Sequence, residues 1–294
     1  LIAGIANTYY TLLMLDEQLD LSRQTETAWK ETVASTRALM NAGLANESAV
    51  SQMEAAYYQV QSSVLDLQQQ ISQVENSLAL LLAETPRSYE RGMLAKQQFP
   101  TDLSIGIPVR MLSSRPDVRS AERTLEAAFY GTNAARSAFY PSITLSGSAG
   151  WTNSAGSLIL NPGKFLASAV GSLTQPLFNK GQVVAQYRIA RAQQEEAALG
   201  FQQTLLNAGS EVNDALIAYQ TSQGKRLLLD KQIASLQTAL QSTSLLMEHG
   251  NTTYLEVLTS RQSLLSAQLS QTANHFTEIQ SLINLYRALG GGQE

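Results

Sequence analysis

The chain has no cysteine, which excludes disulfides, thiol nucleophiles and thiolate metal sites. It has two histidines, His249 and His275, about 26 residues apart and outside any His-Glu-x-x-His run. A histidine metal site or a histidine-driven catalytic site has no basis in that spacing. No glycine-rich phosphate loop follows a strand pattern, which removes the nucleotide-binding readings. Charged residues make up only 15% of the chain, with a formal net charge of -4, against a usual charged share of about a quarter. A nucleic-acid partner needs a basic surface, so that class is excluded as well. No apolar run approaches the roughly 20 residues of a membrane-spanning helix; "LALLLA" at 78–83 is about the longest. No secretory leader opens the chain. Leu1 already stands in a helical pattern, so the expectation is a fragment whose beginning is missing.

Proline is absent from long stretches. All seven prolines fall at 86, 100, 108, 116, 141, 162 and 176, and none in 1–85 or 177–294. Proline breaks long helices, so the chain reads as a helical arm, a broken middle and a second helical arm. What remains for the surface is Ser, Thr, Gln and Asn, a composition suited to assembly or to a water-filled duct.

The first arm predicts helices over about 1–41 and 46–83. In the second of these, Val60, Val64, Leu67, Ile71, Val74, Leu78 and Leu81 recur at spacings of four and three, the seam of a coiled coil. In the last arm Leu229, Ile233, Leu236 and Leu240 continue such a seam, followed by Leu265, Leu269, Thr272, Phe276, Ile279, Ile283 and Tyr286. "STRALMNAGLANESAV" from Ser35 and "STSLLMEHGNTTYLEV" from Ser242 share Ser, Thr, Leu, Met, Gly and Val at a constant offset of 207. Gly43 and Gly250 sit where one helix stops and the next begins. Glycine there supplies the left-handed C-cap, and Asn46 or Thr252–Thr253 can cap the next helix. Only 12 of 83 positions are identical at this offset, so the turn is the specific part of the match. The chain thus predicts two copies of a long antiparallel helical hairpin.

Between the arms, Arg115-Pro116-Asp117 reads as a helix start, with the helix running to about Ala138 and Pro141 ending it. "PSITLSGSAGWTN" then alternates at period two. Ile143, Leu145, Ala149 and Trp151 face one way, and Ser142, Thr144, Ser146 and Ser148 the other. A second extended run covers about 164–178 with poorer alternation, and a helix of nearly 70 residues follows from Gly181 to His249. If the first hairpin copy also had its own strands before Leu1, the parent would carry four strands and this chain two. Two strands of about ten residues, apolar on one face, fit a closed barrel shared between chains. A soluble β-hairpin packed on helices fits the same pattern.

Four stretches resemble the outer-membrane efflux protein (TolC-like) family, in its branch of multidrug-efflux outer-membrane lipoproteins. They are "IPVRMLSSRPDVRSAERTLEAA" (107–128), "ARSAFYPSITLSGSAG" (135–150), "QPLFNKG" (175–181) and "LYRALGGG" (285–292). The resemblance implies a mainly α fold of long antiparallel coiled-coil hairpins forming an α-barrel segment, plus a two-stranded contribution to a transmembrane β-barrel. It implies two structural repeats, the first incomplete. The implied division is 1–84 for the first periplasmic hairpin, 85–115 for a proline-containing equatorial linker and 116–140 for an α-barrel helix. Residues 141–180 would be the two barrel strands, and 181–294 the second hairpin with a C-terminal equatorial segment.

The implied assembly is a homotrimer in the outer membrane extending into the periplasm. Its partners would be outer-membrane lipid, a periplasmic adaptor (membrane fusion) protein and an inner-membrane transporter of the resistance-nodulation-division type. The implied activity is passive conduction of drugs or other small molecules, not catalysis, and no cofactor is expected. The lipid-anchored N-terminal cysteine common in the branch would precede Leu1. A duct for type I protein secretion and a purely structural coiled-coil protein are the alternatives.

Through the resemblance the turns become the periplasmic tip, with Gly43, Leu44, Asn46, Gly250, Asn251 and Thr252 as adaptor contacts. Glu256 corresponds to an inward-facing acid of the periplasmic gate, where three copies would ring the passage. A second family acid is replaced here by Thr259. The Tyr and Arg that latch some members shut correspond to Met247 and Thr252, so that form of latch is not expected. Trp151, at a strand end, reads as a membrane-interface aromatic.

Overall fold

The computed structural model describes residues 1–97, 115–152, 164–175, 178–248 and 253–291. The chain forms two compact units, one of Leu1–Arg115 with Ala208–Glu294 and one of Pro116–Asn207. The fold is mainly α with one two-stranded antiparallel sheet.

In the first unit, α1 (Ile2–Asn41) and α2 (Glu47–Leu81) form a hairpin. The turn obeys its chemistry. Gly43 has φ +76° and accepts the left-handed C′ position. The Gly43 N–H donates to the Met40 carbonyl and the Leu44 N–H to that of Leu39, both at 2.9 Å, the Schellman pattern that satisfies the last carbonyls. Asn46 then caps α2, its Oδ1 accepting from the Ala49 N–H at 2.9 Å, as an N-cap asparagine does. The expected seam is present: Leu12 and Leu15 of α1 bury against Ile71 and Leu78, with Leu67 and Val74 half-buried beside them. Leu81, expected in the seam, is 37% exposed.

The second arm comprises α4 (Gln182–Glu248) and α5 (Tyr254–Ala288). Its first residues belong to the other unit, and Ala208 onward to this one. The offset of 207 holds to the residue: α1 ends at Asn41 and α4 at Glu248, α2 starts at Glu47 and α5 at Tyr254, and they end at Leu81 and Ala288. Even the exits match. Ala83 (φ 55°) and Gly290 (φ 80°) both take the left-handed conformation after α2 and α5. The turn between α4 and α5, with Gly250, lies outside the described residues.

One expectation needs correction. The apolar heptad of α5 does not hold α5 to its own hairpin partner. Ile279 and Ile283 pack on Leu13 of α1, and Leu265 joins a cluster around Trp29, Met53 and Val60 of α1 and α2. The α5 face toward α4 is polar over its middle, with Asn274, Glu278 and Ser281 all buried. Tyr286 is 53% exposed while its neighbour Leu285 is buried against Val212 and Ala215.

The second unit holds α3 (Pro116–Ser137), β1 (Ser142–Thr152), β2 (Lys164–Thr174) and the first part of α4. Phe139 meets the Tyr187 ring edge-on at 5.8 Å, and Thr132 Oγ1 donates to the Ala190 carbonyl at 3.1 Å. The strands are antiparallel with Ser142 opposite Thr174 and Thr152 opposite Lys164. Opposed residues share a face. One row therefore holds Ile143–Leu173, Leu145–Gly171, Gly147–Ala169, Ala149–Ala167 and Trp151–Phe165. The other holds Thr144–Ser172, Ser146–Val170 and Ser148–Ser168, the last pair hydrogen-bonded at 2.8 Å. β2 looks irregular as a sequence because Leu166 and Val170 fall in the Ser/Thr row; the register makes it two-faced. β2 stops at Thr174, short of the expected 178. Pro176, two residues on, has no N–H for a ladder.

Candidate functional site

The tip of the first hairpin presents Leu44 almost fully exposed, 77% of its surface free, beside Gly43. An apolar side chain there gains nothing from its own chain. Asn46 is committed to capping α2. The tip residues of the second hairpin, Gly250, Asn251 and Thr252, lie outside the described residues.

Glu256 stands in the first turn of α5, where an acid is favoured by the helix dipole. Its N–H donates to the Thr253 carbonyl at 3.1 Å, and its side chain is on the exposed side of the helix. Val257 beside it is buried, 3% exposed, and fixes that turn. The equivalent residue of the first copy is Ala49, itself buried. The acid is thus a property of the second copy alone. Thr259, one turn on, returns its hydroxyl to the Leu255 carbonyl at 2.8 Å.

Farther from the turn, Arg261 of α5 lies over the Trp29 ring of α1, 5.5 Å from its centroid. Trp29 is 2% exposed, and the Arg261 Nε is buried with no hydrogen-bond partner. Burial pushes the guanidinium pKa down, and the charge of Glu31 works the other way. Sequence reading had no signal for this pair, which joins helices more than two hundred residues apart in the chain.

At the other end of the hairpin the chain from Arg87 to Lys96 returns over α1 and α2. Arg91 is the clasp. It holds Asp16 of α1 through two nitrogens and Glu75 of α2 at 2.6 Å. Ser88 adds a hydrogen bond to Glu75 at 2.9 Å. Arg115, expected only to shape a helix start, does more. It is buried, donates to the Ala288 carbonyl at 3.1 Å and pairs with Glu211 at 2.9 Å. It thereby satisfies one of the open carbonyls at the end of α5. Asp117 keeps the expected role, its Oδ1 accepting from the Val118 N–H.

Along α4 and α5 run open grooves, one lined chiefly by small polar side chains and one with a larger apolar share. One of about 380 Å³ is lined by Gln232, Thr259, Gln262, Ser263, Ser266 and Ser270. Another of about 710 Å³ is lined by Ser222, Lys225, Leu228, Leu229, Asn274 and Thr277. Among the described residues no group of three or more His, Asp or Glu side chains is placed to hold a metal ion, and no helix is long and apolar enough to cross a membrane. The membrane candidate is the sheet, whose Ile143, Leu145, Phe165 and Leu173 are all more than half exposed. Trp151 lies opposite Phe165, at the end of the pair where β1 stops and β2 begins.

Comparison with known proteins agrees in sequence and in shape. The family model described as outer membrane efflux protein matches residues 1–84 and 107–291. The cation efflux system protein CusC of Escherichia coli is 29% identical over 293 residues, 99% of this chain and 64% of the relative's length. The solvent efflux pump outer membrane protein SrpC of Pseudomonas putida is 32% identical over 302 residues, 99% of this chain and 62% of that protein. The crystal structure of CusC superposes with a TM-score of 0.91 at 28% identity, covering 99% of this chain and 68% of that one. The outer membrane protein VceC of Vibrio cholerae gives 0.87 at 26% identity, covering 99% and 70%. The chain therefore spans less than two thirds of the length of these sequence relatives.

Proposed function

This chain belongs to the outer membrane efflux protein family, and we propose that it forms part of the wall of an outer-membrane exit duct in a tripartite efflux pump. The duct conducts small molecules passively outward from a periplasmic adaptor and an inner-membrane transporter of the resistance-nodulation-division type. The observation that carries this reading is the strand pair. It has one apolar row and one Ser/Thr row, and its large apolar side chains are left exposed. Water gives no reason to expose such a row, whereas lipid does, provided the open strand edges close with strands from elsewhere. The duplicated hairpins supply the second element, a wall of long helices whose spare polar surface suits a wet lumen.

The protein acts as a homotrimer in the outer membrane. Trp151 lies at the lipid interface, and Gly43, Leu44 and Asn46 with Gly250, Asn251 and Thr252 make the tip that meets the adaptor. Glu256 lines the gate. Cargo does not follow from kinship, since CusC is named for cations and SrpC for solvents. It is set by the adaptor and transporter to which the duct docks. The test is expression of the whole protein carrying this chain in a strain lacking its own efflux duct, with its cognate adaptor and transporter. Resistance to dyes and drugs should rise, and purified trimers should give discrete conductance steps in planar bilayers. Trimers that carry no current, together with no gain in resistance, would refute the reading.

A further inference from the structure

A duplicated hairpin has a sorting problem. α1 and α4 stop at equivalent residues, and α2 and α5 start and stop at equivalent residues, so either long helix can in principle accept either return helix. In a multi-copy assembly the same ambiguity recurs between chains. The seams themselves differ, position by position, at the offset of 207. In the first copy the middle of the seam is Leu15, Leu19, Leu67, Ile71 and Val74, all buried or half-buried in one apolar cluster. The equivalent residues of the second copy are Ser222, Arg226, Asn274, Glu278 and Ser281. Ser222, Asn274, Glu278 and Ser281 are buried.

Two of the polar residues of α5 reach across to α4, while the hydroxyls of Ser222 and Ser281 donate to carbonyls of their own helices. Asn274 Nδ2 donates to the Ser222 carbonyl at 2.8 Å in a buried site. Glu278 lies 3.8 Å from Arg226, with the carboxylate side chain only 11% exposed. The ends of the two seams are not divided in this way. Leu78 and Leu285 are equivalent and both buried, as are Val60 and Ala267. The buried polar residues Asn274, Glu278 and Ser281 lie between these two levels.

We propose that this polar middle is a pairing code that keeps α5 on α4 and off the apolar seam of α1. If α5 took the place of α2, Glu278 would replace Ile71 against Leu12 and Leu15, and Asn274 would replace Leu67. A carboxylate would be buried without its arginine, a far larger penalty than a neutral exchange of apolar residues. If α2 took the place of α5, Ile71 would face Arg226. Matching apolar with apolar and polar with polar leaves one arrangement in which the buried carboxylate keeps a cationic neighbour. A buried polar position that fixes partner and register, at some expense in stability, is known from coiled coils. Glu278 Oε2 accepts no hydrogen bond even in the correct pairing. The α4–α5 seam has therefore been selected for something other than maximal stability.

The absence of cysteine makes the test direct. Asp230 and Gln271 touch across α4 and α5 at 2.5 Å, so Asp230→Cys with Gln271→Cys reports correct pairing. Position 23 is the first-copy equivalent of 230, so Arg23→Cys with Gln271→Cys reports α5 seated in the place of α2. Each pair is placed in the whole protein, refolded into detergent and oxidised, with and without Asn274→Leu, Glu278→Ile and Ser281→Val together. The crossed cross-link is expected to rise about tenfold or more with the three substitutions, at the expense of the correct one. The polar exchange Arg226→Glu with Glu278→Arg should leave only the correct one. If the triple variant keeps the correct cross-link at undiminished yield and gains no crossed one, the pairing code is overturned. Should the triple variant not be recovered folded, Glu278→Ile alone decides on the same two reporters, and an unchanged ratio overturns the proposal equally.

Discussion

Single residues in this fold are most informative where the two copies place different chemistry on the same backbone. Ala83 and Gly290 occupy one left-handed position. The pattern of bonds around them is the same: Ala83 N–H to Leu80 and Glu84 N–H to Ala79 in one, Gly290 to Arg287 and Gly291 to Tyr286 in the other. A Cβ there costs about 1–2 kcal/mol, partly offset by the greater freedom of an unfolded glycine. Ala83→Gly should stabilise the hairpin by about 0.5–1 kcal/mol and Gly290→Ala should destabilise it by at least as much. Urea unfolding followed by helix signal reads both. Equal effects of one sign would mean that the two exits are not equivalent. Arg261 gives a second residue-scale expectation. Its buried Nε has no partner, so Arg261→Met, which keeps the stem over Trp29, should leave stability unchanged or raise it. Trp29→Ala should lower it by about 3–5 kcal/mol through the cavity it leaves.

At the scale of elements, the helical hairpins and strands were legible because their signals are periodic and local. The seam of α2 and the alternation of β1 are written plainly, and the repeated turn places the ends of α1 and α4 and the starts of α2 and α5 to within a residue or two. What was illegible depended on partners remote in sequence. The apolar heptad of α5 was visible, but not that it faces α1, because the same stripe fits any apolar neighbour. Asn274, Glu278 and Ser281 carry no sequence mark of burial; polar residues on a long helix read as solvated until the facing helix is known. Arg91 was equally silent, one arginine in an irregular stretch. It makes a prediction in pH. Burial works to raise the Glu75 pKa, but hydrogen bonds from Arg91 and Ser88 with the Arg91 charge lower it on balance from 4.5. A carboxyl depressed in the folded state adds stability above its unfolded pKa and loses it as pH falls through the folded value. Acidification from about pH 5 to pH 3 should therefore loosen the 87–96 strap. Limited proteolysis within 85–97 should accelerate over that interval in the native protein and show a flatter profile in Glu75→Gln. For the sheet, Leu145→Asp puts a charge in the middle of the apolar row. It should cost about 1–2 kcal/mol in a lipid-facing strand and nothing in a solvated one. Loss of heat-resistant trimer in membranes, with the soluble helical fold intact, is the expected outcome.

At the scale of the whole molecule, the gate role proposed for Glu256 would act only through its copies in the proposed trimer. Each chain carries one, since the first repeat has Ala49 at the equivalent position. A homotrimer thus sets three carboxylates at one level rather than six. Val257 is buried and Glu256 is not, so the turn is anchored by the valine and its carboxylate is turned outward from the hairpin core. Three such charges around a narrow passage would focus a negative potential that electrolyte screens only in part. Glu256→Gln should then reduce the cation selectivity of trimers in planar bilayers and weaken block by multivalent cations added from the periplasmic side. Assembly should be unaffected, because the side chain is exposed in the first turn of α5. Thr259, where the family resemblance leads one to look for a second acid, offers the gain-of-function arm. Thr259→Asp adds three carboxylates one turn away and should strengthen both selectivity and block. If the two variants leave selectivity and block where the native protein has them, Glu256 is a surface glutamate, and the negative ring must be sought elsewhere in the two turns.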